Sequence, residues 1–426
     1  IPLLLKRIYK FAVMKNILFL VFLFVLFSFN IFGQYSSVLS QGDWYKIATN
    51  ESGVYKLSYS SLEDLGVDVN NVQVSSIKLY GNGGGMLPEL NSDFRHSDLV
   101  ENNIKTYDAN NNGVFESGDY ILFYGESPHI WDYDASSGLF HHQTHLFSDE
   151  VNYFLTIDNQ SEGKRIKSKP VLQNATKTIT SFNAFSFHES ESENLINSGK
   201  EWFGERFDIQ NSQSFDFNFP NLDHSSPLSI KIAVAARSLE SSAFTVSTNS
   251  VLLNTISINN IVTTPTTEYA KTASKTTNYN ASTSNITITL NYSSSDIGAS
   301  AWLNYIEINA RQALKMNGSA MLFRDVELIT NEVATYQLEN ATSSITIWNV
   351  SDPTSIIELP TTFNNGVLSF NDSINELHEY IAFNGSSYLT PVLKGIVSNQ
   401  NLHNTPSDVE YVIISHPNFL SAAERL

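Results

Sequence analysis

Asp108–Asp119, read DANNNGVFESGD, gathers a dense set of hard oxygen donors directly ahead of a β-forming apolar run. With Asp108 at position 1 of a calcium-type loop, Asn110, Asn112 and Asp119 fill positions 3, 5 and 12. Gly113 falls at position 6, where such a loop turns sharply, and Val114 offers its carbonyl at position 7. The spacing suits a cation because alternate residues of a tightly wound loop point inward, so their oxygens converge on one hard ion. Two features differ from the helical form of the motif. Position 12 is Asp rather than a bidentate Glu, and Asp119 runs straight into Tyr120–Tyr124, which reads as a strand. Two readings follow: a structural Ca2+ site formed by Asp108, Asn110, Asn112, Val114 and Asp119, or an Asx-rich hairpin turn needing no metal.

Other candidates for chemistry are fewer. His141, His142 and His145 form an H-H-x-x-H cluster that would suit zinc if the rings converged. The helical H-E-x-x-H pattern is absent, and strand alternation sends His141 and His142 to opposite faces, which favours packing or solvated histidines. Gly81-Asn82-Gly83-Gly84-Gly85 resembles a phosphate loop, but no Gly-Lys-Ser/Thr follows and Met86-Leu87-Pro88-Glu89 opens no helix. A bulged turn with close backbone approach fits better. The chain has no cysteine, which removes disulfides, thiolate metal sites and a cysteine nucleophile from these residues. No residue of this chain is assigned a catalytic role.

The elements that would carry these groups are mostly strands. The 426 residues are enough for several cores, and the net charge of −18 argues against a nucleic-acid partner. Only 16% of residues are charged while aromatics reach 12%, with abundant Ser, Thr and Asn, as in extracellular β-rich proteins. Gln41–Tyr59 reads as two strands about a turn at 50–53, and Ser60–Gly66 as a short helix stopped by Gly66. Val74–Tyr80 and Val151–Asp158 are further strands. From Glu205 to Ile308, short strands recur between Ser/Thr/Asn clusters (Ser214–Phe219, Leu228–Ala235, Ala243–Ser247, Ser284–Tyr292, Trp302–Ile308), the signature of an antiparallel sandwich or jelly roll. Asn259–Ser284 reads as a long exposed loop or hairpin. Ala334–Leu338, Ser344–Asn349, Gly366–Phe370 and His378–Phe383 form a small β region.

The expected organisation begins with residues 1–13 as upstream translation and 14–34 as a signal peptide. Met14-Lys15 precedes the apolar run Ile17–Phe32, with Gly33 before the cut and Ile31 a poor −3 residue. The run falls short of the about 20 residues a membrane helix needs, so the mature chain is expected to be exported and peripherally held. Next come a β domain at 35–170 with the calcium-type loop, a sandwich at 171–315, a small β domain at 316–390 and a linker at 391–408. Residues 409–426 differ in character: Val409–Ile414 is an apolar strand broken only by Glu410, and Asn418–Leu426 opens a helix. A buried strand feeding a helix begins an α/β unit. The fold class is therefore mainly β, ending in the first strand and helix of a truncated α/β domain.

Several blocks resemble one family, the gingipain-like sortases of the type IX secretion system (the PorU family). They are GDWYKIATNESGVYKLSY (42–59), IKLYGNGGGMLPE (77–89), DANNNGVFESGDYILFYG (108–125), WDYDASSGLFHHQTHLFSD (131–149), WLNYIEINARQALKMNGSAMLFRD (302–325) and VEYVIISHPNFLSAAERL (409–426), in family order. The resemblance implies β-rich domains ahead of a caspase-like cysteine peptidase with a His/Cys dyad, beginning at Val409. No position matches the dyad; His416 lies in the leading turn and reads as a packing or loop residue. The implied activity is cleavage of C-terminal signal domains from secreted cargo, then acyl transfer to anionic lipopolysaccharide. The implied partners are that cargo, outer-membrane secretion components and the lipopolysaccharide, at the cell surface. The alternative is an exported adhesin or glycan-binding β protein, with Trp131, Tyr133, Trp202 and Trp302 as sugar platforms or, more simply, core.

Overall fold

A computed structural model describes residues 36–197, 199–264, 268–327, 329–404 and 409–425. The upstream residues 1–13 and the signal segment 14–34 lie outside the described residues. The chain divides into two compact units, residues 43–397 and the flanking residues up to 42 with those from 398 onward. Among the described residues no helix is long and apolar enough to cross a membrane.

In the larger unit, alternating apolar residues build the first sheets. Trp44–Thr49 pairs antiparallel with Val392–Val397 on one side and Val151–Ile157 on the other, and Ile77–Tyr80 and Glu101–Asn102 complete five strands. Gly53–Ser58 instead joins Tyr120–Gly125 and Lys105–Tyr107 in a separate three-stranded sheet. Ile47, Leu57, Phe123, Tyr153 and Leu155 share one core with Leu62 and Leu65 of a helix, Tyr59–Leu65. Ser58 and Ser61 form a reciprocal capping box at that helix's start, and Gly66 ends it at φ 94°, a left-handed conformation that favours glycine.

The next strands form a β-sandwich. One sheet runs Ser181–Glu189, Ser300–Ala313, Leu228–Arg237, Lys271–Tyr279; the other runs Ser212–Asn218, Asn285–Ser294, Ser242–Thr248, Val251–Ile258. Period-two alternation puts Phe215, Phe217, Ile286, Ile288 and Leu290 opposite Ile230, Ile232, Ile306 and Ile308. Each fully buried side chain of this size stabilises the fold by about 1.5–3 kcal/mol. Within 259–284, read as a long exposed loop or hairpin, the described residues form one strand, Lys271–Tyr279. It is an edge strand whose partner is Leu228–Arg237, held by backbone hydrogen bonds rather than an apolar face. Its lysines suit an edge that must not pair further.

The strands of 320–383 form two more sheets whose core is continuous with the sandwich, through Phe323, Tyr336, Ile347, Phe370 and Tyr380. Each sheet also receives a short parallel strand from an earlier segment: Lys167–Ser168 beside Ile357–Leu359, and Lys177–Ile179 beside Val333–Leu338.

In the smaller unit, the Ser37 N–H donates to Asn401 Oδ1 at 2.9 Å, and Asn399 Nδ2 donates to the carbonyls of Leu39 and Gly42 at 3.1 and 2.9 Å. Residues 409–416 form no strand, and Val409, Tyr411, Val412, Ile413 and Ile414 are exposed. The buried strand expected there is not formed, because a central parallel strand needs neighbours on both edges and layers on both faces. A 3-10 turn at Pro417–Phe419 and a short helix at Leu420–Ala423 follow.

Candidate functional site

The twelve-residue calcium-type loop joins two paired strands, since Tyr107 sits opposite Tyr120 in the ladder. Its oxygens turn inward. Asp108 Oδ2 accepts the Gly113 N–H at 2.7 Å, Asn110 Oδ1 the Asn112 N–H at 3.1 Å, and Asn112 Oδ1 the Val114 N–H at 2.8 Å. Asp119 is 2% exposed and accepts N–H groups from Ala109 and Glu116, both at 2.8 Å. Gly113 has φ 80° with open space where a Cβ would stand, so its backbone angle, not crowding, calls for glycine. The loop is pinned to a neighbouring segment by Val74 N–H to the Gly113 carbonyl and Phe115 N–H to the Val72 carbonyl. Glu116, outside the sequence reading, accepts the side-chain amides of Asn110 and Asn112. Two carboxylates, two amide oxygens and a peptide carbonyl are the donor chemistry calcium prefers, and each Asp119 oxygen keeps a further lone pair. Among the described residues no three His, Asp or Glu side chains converge as a metal cluster.

The histidines lie on a two-stranded hairpin, Ile130–Asp134 with Leu139–Gln143. Its outer edge lies on the sandwich strand Ser300–Ala313: the Phe140 N–H donates to Asn309 Oδ1 at 2.8 Å, and Asn309 Nδ2 returns to the Phe140 carbonyl at 2.9 Å. Although alternation separates them along the strand, His141 and His142 are brought to one group. Both reach the buried Glu307, His141 Nδ1 at 2.7 Å and His142 Nδ1 at 2.9 Å. The carboxylate stands at the hairpin's edge, where it also takes the His142 backbone N–H, so rings from either face can curl round to it. His142 Nε2 meets Glu189 Oε2 at 3.0 Å, and Ser137 Oγ lies 3.3 Å from His141 Nε2. His145 stays apart; its Nδ1 accepts the N–H groups of Phe147 and Ser148. Burial pushes the His142 imidazole down, but Glu189 and Glu307 together lift it above its ordinary value. Burial likewise raises Glu307, and the histidines more than offset this, leaving it lowered.

Sequence reasoning missed Glu189, Glu307 and Asn309 because they lie on sandwich strands far along the chain. The only local signal is a charged residue inside the apolar run WLNYIEINA. The glycine run is a close approach, as expected: Gly84 N–H donates to Glu126 Oε2 at 2.5 Å, and a Cβ on Gly84 would stand 2.2 Å from the Ser127 carbonyl oxygen. Trp302 is core, 1% exposed, with its indole N–H on Glu193; Trp131 stacks on Phe185 at 4.0 Å, and Trp202 is 40% exposed. His416 caps its 3-10 turn through Nδ1, accepting the Asn418 N–H at 3.2 Å.

Comparison with solved structures gives a TM-score of 0.72 with a crystal structure of dimeric latent PorU from Porphyromonas gingivalis, at 21% identity. The chain has a PorU-like fold. The overlap covers 87% of this chain and 34% of that one, so the chain spans about a third of the protein it matches. A calcium- and xylotriose-bound carbohydrate-binding module, CBM36, overlaps 30% of this chain and 99% of its own at a TM-score of 0.20 and 15% identity. The Bacillus thuringiensis delta-endotoxin Cry8Ea1 overlaps 57% of this chain and 43% of its own at 0.22 and 13%. Both overlaps are too slight to carry an argument. No family model matches the sequence, and no curated protein matches it.

Proposed function

We propose that this chain is the non-catalytic N-terminal portion of a cell-surface sortase of the gingipain-like, type IX secretion kind. The observation that carries the reading is the fold overlap with PorU along 87% of the chain. The parent enzyme cleaves C-terminal signal domains from cargo and passes the acyl group to an amine on anionic lipopolysaccharide. A thiolate attacks the scissile carbonyl, His shuttles the proton, and the acceptor amine competes with water. The β unit positions cargo and docks to outer-membrane secretion components, peripherally attached at the surface. Residues 409–425 belong to the start of the peptidase domain in this reading, and their exposed apolar side chains are ones that domain would cover. Calcium in the 108–119 loop is structural and far in sequence from that chemistry. The glycan-binding alternative loses Trp302, which is interior, and one face of Trp131, which stacks on Phe185, while Trp202 stays 40% exposed.

The reading frame beyond codon 426 tests the assignment. The expected result is a further stretch of about 150–250 residues of alternating strands and helices carrying one His and then one Cys. More β repeats, or a frame without a nucleophilic Cys, would remove the enzyme assignment.

A further inference from the structure

We propose that the hairpin Ile130–Gln143 is a proton-locked latch, fastened to the sandwich while both ring N–H groups of His142 are donated to carboxylates and released when one proton leaves. The argument starts from the ring itself. A neutral imidazole has one N–H and one lone pair. His142 has a carboxylate oxygen on each nitrogen, Glu307 at 2.9 Å and Glu189 at 3.0 Å, and its side chain is 3% exposed. Deprotonation sets a lone pair against a carboxylate where water cannot intervene, an arrangement whose cost grows in a low-dielectric site.

Every packed element contributes to this balance. From its own segment come His141, which shares Glu307, and Thr144, whose hydroxyl donates to Glu189. From the other side of the hairpin come Trp131 and His129, with Asp149 near His129. The strand Ser181–Glu189 brings Glu189 and Phe187, whose ring stacks on His142 at 4.3 Å, and Glu191 lies just beyond. The strand Ser300–Ala313 brings Glu307 and Tyr305. Burial, then Glu189, lifts the Glu191 carboxyl to about 7, so it adds negative charge as the pH passes neutrality.

The ties that do not need this proton are the two Asn309 bonds, the His142 backbone N–H and the His141 ring on Glu307, and the packing of Trp131 and the buried Phe140 on Phe185, so release is a local loosening about His142. Release uncovers Phe185 and Phe187. Because the folded His142 value is raised and those of Glu189 and Glu307 are lowered, the latch holds between the carboxylate range and the His142 titration. It loosens as the pH rises through the latter.

Two measurements on the intact chain decide this. Ring nitrogen NMR at neutral pH is expected to show both His142 nitrogens protonated. Amide exchange, corrected for intrinsic base catalysis, is expected to show Phe140 and His142 losing protection in one step on alkalinisation while Ser300–Ala313 keeps its own. Glu189→Gln should move that step down by about one pH unit. A single protonated ring nitrogen, or a hairpin whose protection ignores the titration, overturns the latch. Should Glu189→Gln misfold, the ring-nitrogen result on the unaltered chain decides alone.

Discussion

Asp372 shows how one buried residue can gather a structure around it. It is fully buried and accepts Lys169 Nζ at 2.5 Å, Asn349 Nδ2 and the Tyr380 hydroxyl each at 3.2 Å, with His378 at 3.5 Å. Burial alone would raise its carboxyl, but His378 and Lys169 outweigh it and hold the group at about 2. A carboxylate lowered in the folded state stabilises above its unfolded value, and that contribution fades as the pH falls toward the folded one. Asp372→Asn is therefore expected to cost about 3 kcal/mol at neutral pH, by stranding the Lys169 charge. It should also flatten the acid limb of the stability profile between about pH 4 and pH 2. Urea titrations across that range check this; an equal loss at pH 2 and pH 7 would contradict it. Part of this site was legible. In VLSFNDS the inward positions are Leu368, Phe370 and Asp372, so alternation alone places a carboxylate in the core. Its partners were not, because Lys169 lies 203 residues away. The same holds for His142, whose partner Glu307 is 165 residues distant.

Elements were legible wherever their signals are local. The helix Tyr59–Leu65 declared itself through serines at its start and Gly66 at its end, and the strands Leu228–Arg237 and Asn285–Ser294 through apolar alternation. Lys271–Tyr279 was not singled out within the expected loop or hairpin, because an edge strand held by its backbone needs no apolar stripe. The calcium-type loop belongs at this scale, since one twelve-residue connection supplies all its donors. With calcium at about a hundredfold its dissociation constant, binding adds about 2.7 kcal/mol of stability. For a unit this large the melting temperature should then rise by a few degrees, roughly 1–1.5 °C per kcal/mol from an unfolding entropy of about 2.1 cal/mol/K per residue. Chelation is expected to lower the melting temperature of the intact chain by that amount, and Asp108→Ala to abolish the difference. An unchanged melting curve with chelator would leave the loop as an Asx turn held by its own hydrogen bonds.

At the scale of the molecule, residues 43–397 behave as one compact unit. The sandwich and the strands of 320–383 share a continuous core, and strands at 167–168 and 177–179 pair with partners far along the chain. Sequence order lists the β regions one after another; only long-range pairing reveals how they share sheets. Under the proposed function this unit serves an enzyme that releases cargo from its C-terminal signal domain. The most direct measurement is mass spectrometry of secreted cargo from cells making the full-length protein, compared with cells in which the expected downstream nucleophilic Cys is changed to Ala. Trimmed, lipopolysaccharide-linked cargo is expected in the first and cargo retaining its signal domain in the second. Identical, fully trimmed cargo in both would contradict it.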